Sequence, residues 1–192
     1  MNIEYEATFT EINKDEIRGR LEKIGAKLVR PEFTQRRTTF NLPENHDSGH
    51  AWARVRDEGD KITLSLKVVD REKIENQKEV CLQIDSLEKA EVFLSEVGCI
   101  KKAYQVTKRE IWIFNDVEIM IDEWPFLEPF VEIEGKSEKA IMEVTKKLGF
   151  DYSKAKFCAV GTLYAKKYNL PEGFINNNTP LITFDMKNPF LL

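Results

Sequence analysis

The feature that most limits how this chain can fold is the way charge is distributed over its alternating segments. Between Val117 and Gly135 two short runs of period two flank a turn that holds Pro125 and Pro129. Val117, Ile119 and Ile121 alternate with Glu118, Met120 and Asp122; Val131 and Ile133 then alternate with Glu132 and Glu134. This pattern predicts a β-hairpin. Same-face residues on a strand lie about 6.5–7 Å apart, so Glu132 and Glu134 project side by side and Asp122 reaches them from the partner strand. Two carboxylates ~4 Å apart repel by about 4 kcal/mol at an effective dielectric near 20. That face must lie in open solvent or be neutralised by cations.

Other segments alternate in the same way, each with one sign of charge. Ile3 to Phe9 sets Ile3, Tyr5, Ala7 and Phe9 against Glu4, Glu6 and Thr8. Ala51 to Asp57 sets Ala51, Ala53 and Val55 against Trp52, Arg54 and Arg56, and after the turn Glu58-Gly59-Asp60 a return strand carries Lys61 and Lys67. Lys78 to Ile84 and Thr107 to Phe114, the latter bearing Lys108 and Arg109, are further strands; Ala26–Arg30 and Gln35–Leu42 are extended. Three helices are announced by caps, apolar stripes and stop glycines: Asn13 to Gly25 with Ile17, Leu21 and Ile24, Asp85 or Ser86 to Gly98 with Leu87, Ala90 and Leu94, and about Ser137 to Leu148. Val160 to Tyr168 forms a fourth. Strand, capped helix, glycine and extended segment thus occur twice, a weak internal repeat. Pro43–Gly49 and Asp70–Gln77 read as polar loops.

A solvated antiparallel face normally mixes charge signs, because opposite charges across strands are mildly favourable. Here the signs segregate strand by strand, acidic at Glu4, Glu6, Asp122, Glu132 and Glu134, basic at Arg54, Arg56, Lys61 and Lys67. Closing these strands into a barrel removes exposed edges and lets acids and bases face one another inside, with the helices covering the outer apolar face. The class is α+β, mainly antiparallel β. An interior with one acidic and one basic wall suits a polyphosphate carried with Mg²⁺ or Mn²⁺: Arg and Lys hold phosphate oxygens, and carboxylates hold the metal.

Length and composition narrow the rest. At 192 residues, 42% hydrophobic and 32% charged, residues 1–170 make one ordinary domain. Residues 171–192, with Asn176-Asn177-Asn178 and more prolines, read as a C-terminal extension that docks loosely or not at all. A formal charge of −4 gives no footprint for a nucleic acid polymer, and the absence of a long apolar run or basic-apolar leader points to a cytoplasmic protein rather than a membrane one. Cys81, Cys99 and Cys158 are odd in number and widely spaced, which predicts buried free thiols. His46 and His50 have the spacing of a helical metal pair but sit in a loop. No nucleophile elbow or phosphate-binding glycine loop is present.

Taken in order, the motifs resemble the CYTH family, the triphosphate tunnel metalloenzymes that include class IV adenylyl cyclases, thiamine triphosphatases and inorganic triphosphatases. Glu4-x-Glu6 stands where that family has Glu-x-Glu-x-Lys, with Thr8 in the lysine position. Trp52-Ala-Arg54-Val-Arg56, Leu64-Ser-Leu-Lys67, Glu79, Lys108 with Arg109, Asp122 and Phe130-Val-Glu132-Ile-Glu134-Gly135 follow in sequence, over about residues 2 to 168. The resemblance implies an eight-stranded closed β-barrel, the triphosphate tunnel, with helices outside. It implies Glu4, Glu6, Asp122, Glu132 and Glu134 as ligands of Mg²⁺ or Mn²⁺, and Arg54, Arg56, Lys67, Lys108 and Arg109 as the triphosphate grip. Glu4, Glu6, Lys67 and Glu134 are the implied catalytic set. Glu110 is expected on the face opposite Arg109. The expected partner is tripolyphosphate, thiamine triphosphate or ATP, in a monomer or homodimer. The expected reaction is hydrolysis; cyclisation of ATP and binding without turnover are the alternatives.

Overall fold

The period-two runs that carry Glu4 and Glu6, Arg54 and Arg56, and Glu132 and Glu134 turn the charged face inward and the apolar face outward, in a computed structural model that describes residues 1–46, 50–69 and 73–191. Of the expected loops Pro43–Gly49 and Asp70–Gln77, residues 47–49 and 70–72 lie outside the described residues, and the rest includes short 3-10 turns at Glu44–His46 and Ile74–Asn76. On β4 (Ala51–Asp57), Trp52, Arg54 and Arg56 face a central cavity. Ala53 and Val55 face out and are buried with Phe40, Ala90 and Leu94.

Neighbouring strands pair antiparallel in the order β1 (Asn2–Ile3), β6 (Gln77–Ile84), β5 (Ile62–Val69), β4, β3 (Lys27–Asn41), β7 (Ile100–Phe114), β8 (Val117–Glu123), β9 (Phe130–Gly135), β2 (Tyr5–Phe9). The first and last of these nine are consecutive in the chain. β1 pairs with β6 through Asn2 and Ile3, Glu4 N–H donates to the Gln77 carbonyl at 2.9 Å, and β2 then runs along β9. One N-terminal run therefore joins both edges of the sheet and nearly closes it into a barrel. With β1 and β2 counted as one stave broken at Glu4, the wall has the eight staves expected.

The helices cover the apolar outside. α1 (Lys14–Ile24) and α3 (Glu138–Lys147) contribute Ile17, Leu21, Ile141 and Val144 to a core built on Ala7, Ile119, Ile121, Val131 and Ile133. α2 (Leu87–Glu96) seals β3, β4 and β5. The Asn13 side chain accepts from the Asp15 and Glu16 amides, and the chain leaves α1 through Gly25 at φ 80°, a conformation that favours glycine. The repeated grammar is visible in three dimensions: α1 leads into β3, α2 leads into β7, and these two fifteen-residue strands pair with each other.

Three expectations need correction. First, β3 is one strand and not two segments; Pro31 and Glu32 sit in an irregularity between Arg30 and Phe33, where a missing amide donor costs nothing. β7 likewise begins seven residues before Thr107, because β3 pairs with that stretch even though Lys101 and Lys102 break the apolar alternation. Second, the cysteines are free but not buried: Cys81 is exposed, and Cys99 and Cys158 are partly so. Third, the segment after Pro171 packs firmly. α4 (Val160–Tyr168), α5 (Glu172–Asn178) and β10 (Leu181–Ile182) follow one another, and β10 pairs parallel with β7 at Tyr104 and Gln105. Ile175, Ile182 and Phe190 are buried against Trp124, Phe130 and Tyr164. Those apolar residues are scattered among asparagines and prolines at neither helical nor strand period, which hid them.

Candidate active site in the tunnel

The inward faces of the staves enclose a cavity of about 610 Å³. Register sets who meets whom. Glu6 stands opposite Glu134 across the β2–β9 pair, Thr8 opposite Glu132, and Lys67 opposite Glu79 across β5–β6. Glu4, Glu6 and Glu134 each offer a carboxylate oxygen within 4.8 Å of the others. Lys67 Nζ is the cation among them, 2.8 Å from Glu4 Oε2 and 3.4 Å from Glu6 Oε2.

The electrostatics of this corner follow from an excess of acid. Burial, then the neighbouring Glu6 and Glu79, push Glu4 up to about 8 against the pull of Lys67. Burial and Glu6 push Glu134 up to about 7. Burial and Glu132 raise Glu6 as well. Lys67, although burial opposes its charge, is held above the usual lysine range by Glu6 and Glu4. Three hard oxygen donors with a surplus of negative charge are the chemistry that takes Mg²⁺ or Mn²⁺. The residues present therefore fit the divalent ion.

The other two expected metal ligands are placed differently. Asp122 binds Arg109 by two bonds, Nε–Oδ1 at 2.7 Å and Nη2–Oδ2 at 2.5 Å, and Arg109 Nη2 also reaches Glu132 Oε2 at 2.6 Å. Asp122 is 1% exposed. Glu132 and Arg109 line the cavity, with Asp122 behind them. Arg109, despite its burial, is held well above the ordinary range by Asp122 and Glu132.

Arg54 and Arg56 point into the cavity as expected. Arg54 pairs with Glu79 at 2.9 Å and Arg56 with Glu58 at 2.7 Å. Although burial works the other way, Arg54 and the bond to Glu4 hold Glu79 down to about 2. Burial and Arg54 lower Arg56 to about 10. Lys108 is not brought to this site. Its neighbour Arg109 faces in, so Lys108 faces out, 3.8 Å from Glu32 and 3.5 Å from Glu123. Glu110 also faces away from the tunnel, bonded to Arg18 of α1 and to the Trp112 indole.

Several residues escaped the sequence reading. Arg37, 4% exposed, donates to Gln35 Oε1 and Thr107 Oγ1, both at 2.5 Å, and lies 4.7 Å from the Trp124 ring centre. Burial and the neighbouring Arg54, Arg56 and Arg109 push it well below the ordinary arginine range. A buried guanidinium held only by neutral oxygens is a site waiting for an anion. The stretch Gln35-Arg-Arg-Thr-Thr39 is polar at both parities, so no alternation betrayed which arginine turned inward. Glu58 supports Arg56 from a turn that read only as a turn. Glu79 had a motif position but no assigned role.

Comparison with known proteins fits this geometry. The CYTH domain model matches residues 2–157. The chain belongs to the CYTH family. Among solved structures, this CYTH protein resembles a protein from Pyrococcus horikoshii at 21% identity and TM-score 0.67, over 81% of this chain and 96% of that chain. A candidate adenylate cyclase from Vibrio parahaemolyticus aligns at 11% identity and TM-score 0.73, over 85% and 98%. A candidate adenylyl cyclase from Hippeastrum, described as having a dominant triphosphatase activity, aligns at 13% identity and TM-score 0.57, over 88% and 97%. At such identities the likeness is one of fold. No curated protein sequence matches the chain. Among the described residues no helix is long and apolar enough to cross a membrane.

Proposed function

We propose that this CYTH protein is a divalent-metal-dependent triphosphatase that holds its substrate inside the tunnel. The observation that carries the reading is the division of the cavity: Glu4, Glu6 and Glu134 within 4.8 Å of one another, and Arg37, Arg54, Arg56 and Arg109 among the residues around them. A triphosphate supplies the anion that Arg37 lacks and adds phosphate oxygens to Arg54, Arg56 and Arg109 beside their carboxylate partners, and a metal supplies the charge that the Glu4, Glu6 and Glu134 carboxylates lack.

In this reading Arg54, Arg56 and Arg109 bind the phosphate oxygens, and Arg37 gains the anionic partner that its neutral neighbours do not supply. Guanidinium forks suit phosphate because two parallel N–H bonds fix its orientation. Lys67 Nζ has three donors. Glu6 accepts one and Glu4 is held as an ion pair at 2.8 Å, so a free donor turns toward the substrate, placing positive charge where the phosphoryl group develops negative charge. Glu4, Glu6 and Glu134 hold the metal, which supplies Lewis-acid polarisation of phosphate oxygens. The enclosing wall keeps bulk water from competing for these charges, so each contact counts for more than it would in solvent.

Thr8 favours a second reading, binding without turnover. It is 2% exposed and opposite Glu132, and it brings no cation to that position. Product analysis separates the readings. ATP, thiamine triphosphate and tripolyphosphate are each incubated with Mg²⁺ or Mn²⁺, beside a Glu6→Gln/Glu134→Gln control. The expected result is orthophosphate release that the control abolishes. Cyclic AMP with pyrophosphate would identify a cyclase instead. Metal-dependent binding with no product would leave a sensor, and Thr8→Lys would then test whether turnover can be restored.

A further inference from the structure

Among the described residues, every charged side chain that lines the cavity belongs to residues 4–134, and the segment from Cys158 to Phe190 lines it with neutral groups. That segment lies outside the family match at residues 2–157. It sits where the barrel needs a wall. β8 pairs with β7 only from Lys108 onward, and β10 takes the vacant edge of β7 at Tyr104 and Gln105.

The wall is anchored. Tyr164 and Tyr168 donate their hydroxyls to the Pro125 and Phe126 carbonyls, both at 2.6 Å, and Phe190 packs against both tyrosine rings. Trp124, on the same loop, meets Tyr164 edge-on and Arg37 at its face. Trp124 and Arg37 thus mark the border between the charged and neutral parts of the cavity. Facing the cavity from α5 are the carboxamides of Asn176 and Asn177, which have no hydrogen-bond partner among the described residues. Asn176 depends on Gly161: its Oδ1 lies 3.1 Å from where a Cβ on Gly161 would stand, so any side chain there presses on the amide.

Two-ended walls suit a two-ended ligand. Tripolyphosphate is anionic throughout, and against Tyr164, Ile175 and Phe190 its oxygens lose water without gaining donors. Thiamine triphosphate presents a cationic ring, and none of the described residues of the Cys158–Phe190 segment that line the cavity is a carboxylate. A neutral planar heterocycle with donors and acceptors on its edge fits: an apolar wall takes its face, and a carboxamide, both donor and acceptor, pairs with its edge as asparagine does with adenine. We propose that the Cys158–Phe190 segment is the head-group wall of the site, selecting a nucleoside triphosphate through the Asn176 carboxamide that Gly161 leaves room for. This rests on the triphosphatase reading and names its substrate class.

The test is the ratio of kcat/KM for ATP to that for tripolyphosphate, following loss of each substrate whatever the product, with thiamine triphosphate as a third arm. The wild-type protein is expected to favour ATP over both by tenfold or more. Asn176→Ala is expected to lower the ATP-to-tripolyphosphate ratio about tenfold, the size of one hydrogen bond of ~1.4 kcal/mol. Gly161→Ala should lower the ratio in the same direction by less. A wild-type preference for tripolyphosphate or thiamine triphosphate would overturn the proposal while leaving the triphosphatase reading intact. So would equal losses on both substrates in variants that keep the wild-type melting temperature. Failure of all three compounds to bind or react would remove the underlying reading and this one with it. Should Asn176→Ala fold poorly, Asn176→Asp keeps the volume and is expected to move the ratio the same way.

Discussion

Two carboxylate clusters stand close together on the same inner surface of this barrel, and they have opposite characters. In one, Asp122 and Glu132 share Arg109 through bonds of 2.5 to 2.7 Å, and the guanidinium offsets one of the two negative charges. In the other, Glu4, Glu6 and Glu134 gather around the Lys67 ammonium, which pairs with Glu4 and Glu6, and keep an excess of negative charge. The strand pattern that produced them is the same. What separates them is the partner across the sheet: Asp122 has Arg109 opposite it, whereas Glu6 has another carboxylate, Glu134. Carboxylates bonded to a guanidinium fix its orientation, and carboxylates left with a surplus of charge recruit a metal.

Disabling each cluster in turn breaks that contrast most sharply. Glu6→Gln/Glu134→Gln is expected to lower metal-dependent triphosphate turnover by at least a hundredfold, while the metal-free protein melts at or above the wild-type temperature because like charges have been removed. Asp122→Ala should do the reverse to stability. It leaves the buried Arg109 guanidinium with Glu132 alone, and removing one partner of a buried pair costs up to about 3–5 kcal/mol. Urea unfolding of the metal-free forms measures both. Equal destabilisation by the two changes would mean that both clusters are structural.

The pH dependence of metal-free stability sharpens the same contrast. Glu134 and Glu4 have folded-state values raised to about 7 and about 8 from 4.5, so between those limits the native state binds more protons than the unfolded chain. Their contribution to stability is present below pH ~4.5 and is lost as pH rises through about 7 to 8. Glu79 has the opposite sign: held down to about 2, it stabilises above pH ~4.5 and loses that contribution as pH falls toward 2. Saturating Mg²⁺ should flatten the alkaline decline by a few kcal/mol, since the ion replaces the protons it displaces. Melts from pH 5 to 9, with and without Mg²⁺, check this. A decline that Mg²⁺ leaves untouched would sink the metal assignment.

How much of this was legible beforehand depends on which interaction decided each feature. Alternation with segregated charge identified the inward faces of β2, β4, β8 and β9, because a single barrel constraint sets face and sign together. Helix ends at Asn13 and Gly25 were legible because caps are local chemistry. Arg37 was hidden because both faces of β3 are polar there, and only the cross-strand partners Gln105 and Arg56 show that it turns inward. The division of the five acidic residues into a trio and an arginine-bound pair was illegible for the same reason, since register with Arg109 is a tertiary fact. The packing of Phe190 against Tyr164 and Tyr168 depends on the Pro125–Phe126 carbonyls that hold those two tyrosines from 39 and 42 residues before them.

The smallest expected effect comes from the residue beside Arg109. Lys108 and Arg109 are adjacent cations on β7, and a strand sends them to opposite faces. Arg109 enters the cavity, bonded to Asp122 and Glu132, whereas Lys108 is 38% exposed on the outside near Glu32 and Glu123. Surface pairs at such distances contribute about 0–1 kcal/mol. Lys108→Ala should therefore change stability by less than about 1 kcal/mol, and its KM for a triphosphate should stay within roughly twofold, about 0.4 kcal/mol. Arg109→Ala removes both a phosphate-facing cation and the partner of two buried carboxylates, so its loss should be large in turnover and stability alike. Measuring the two variants together isolates strand parity, because they differ by one position along the chain. A Lys108→Ala variant as damaged in KM as Arg109→Ala would mean that β7 slips by a residue when substrate binds.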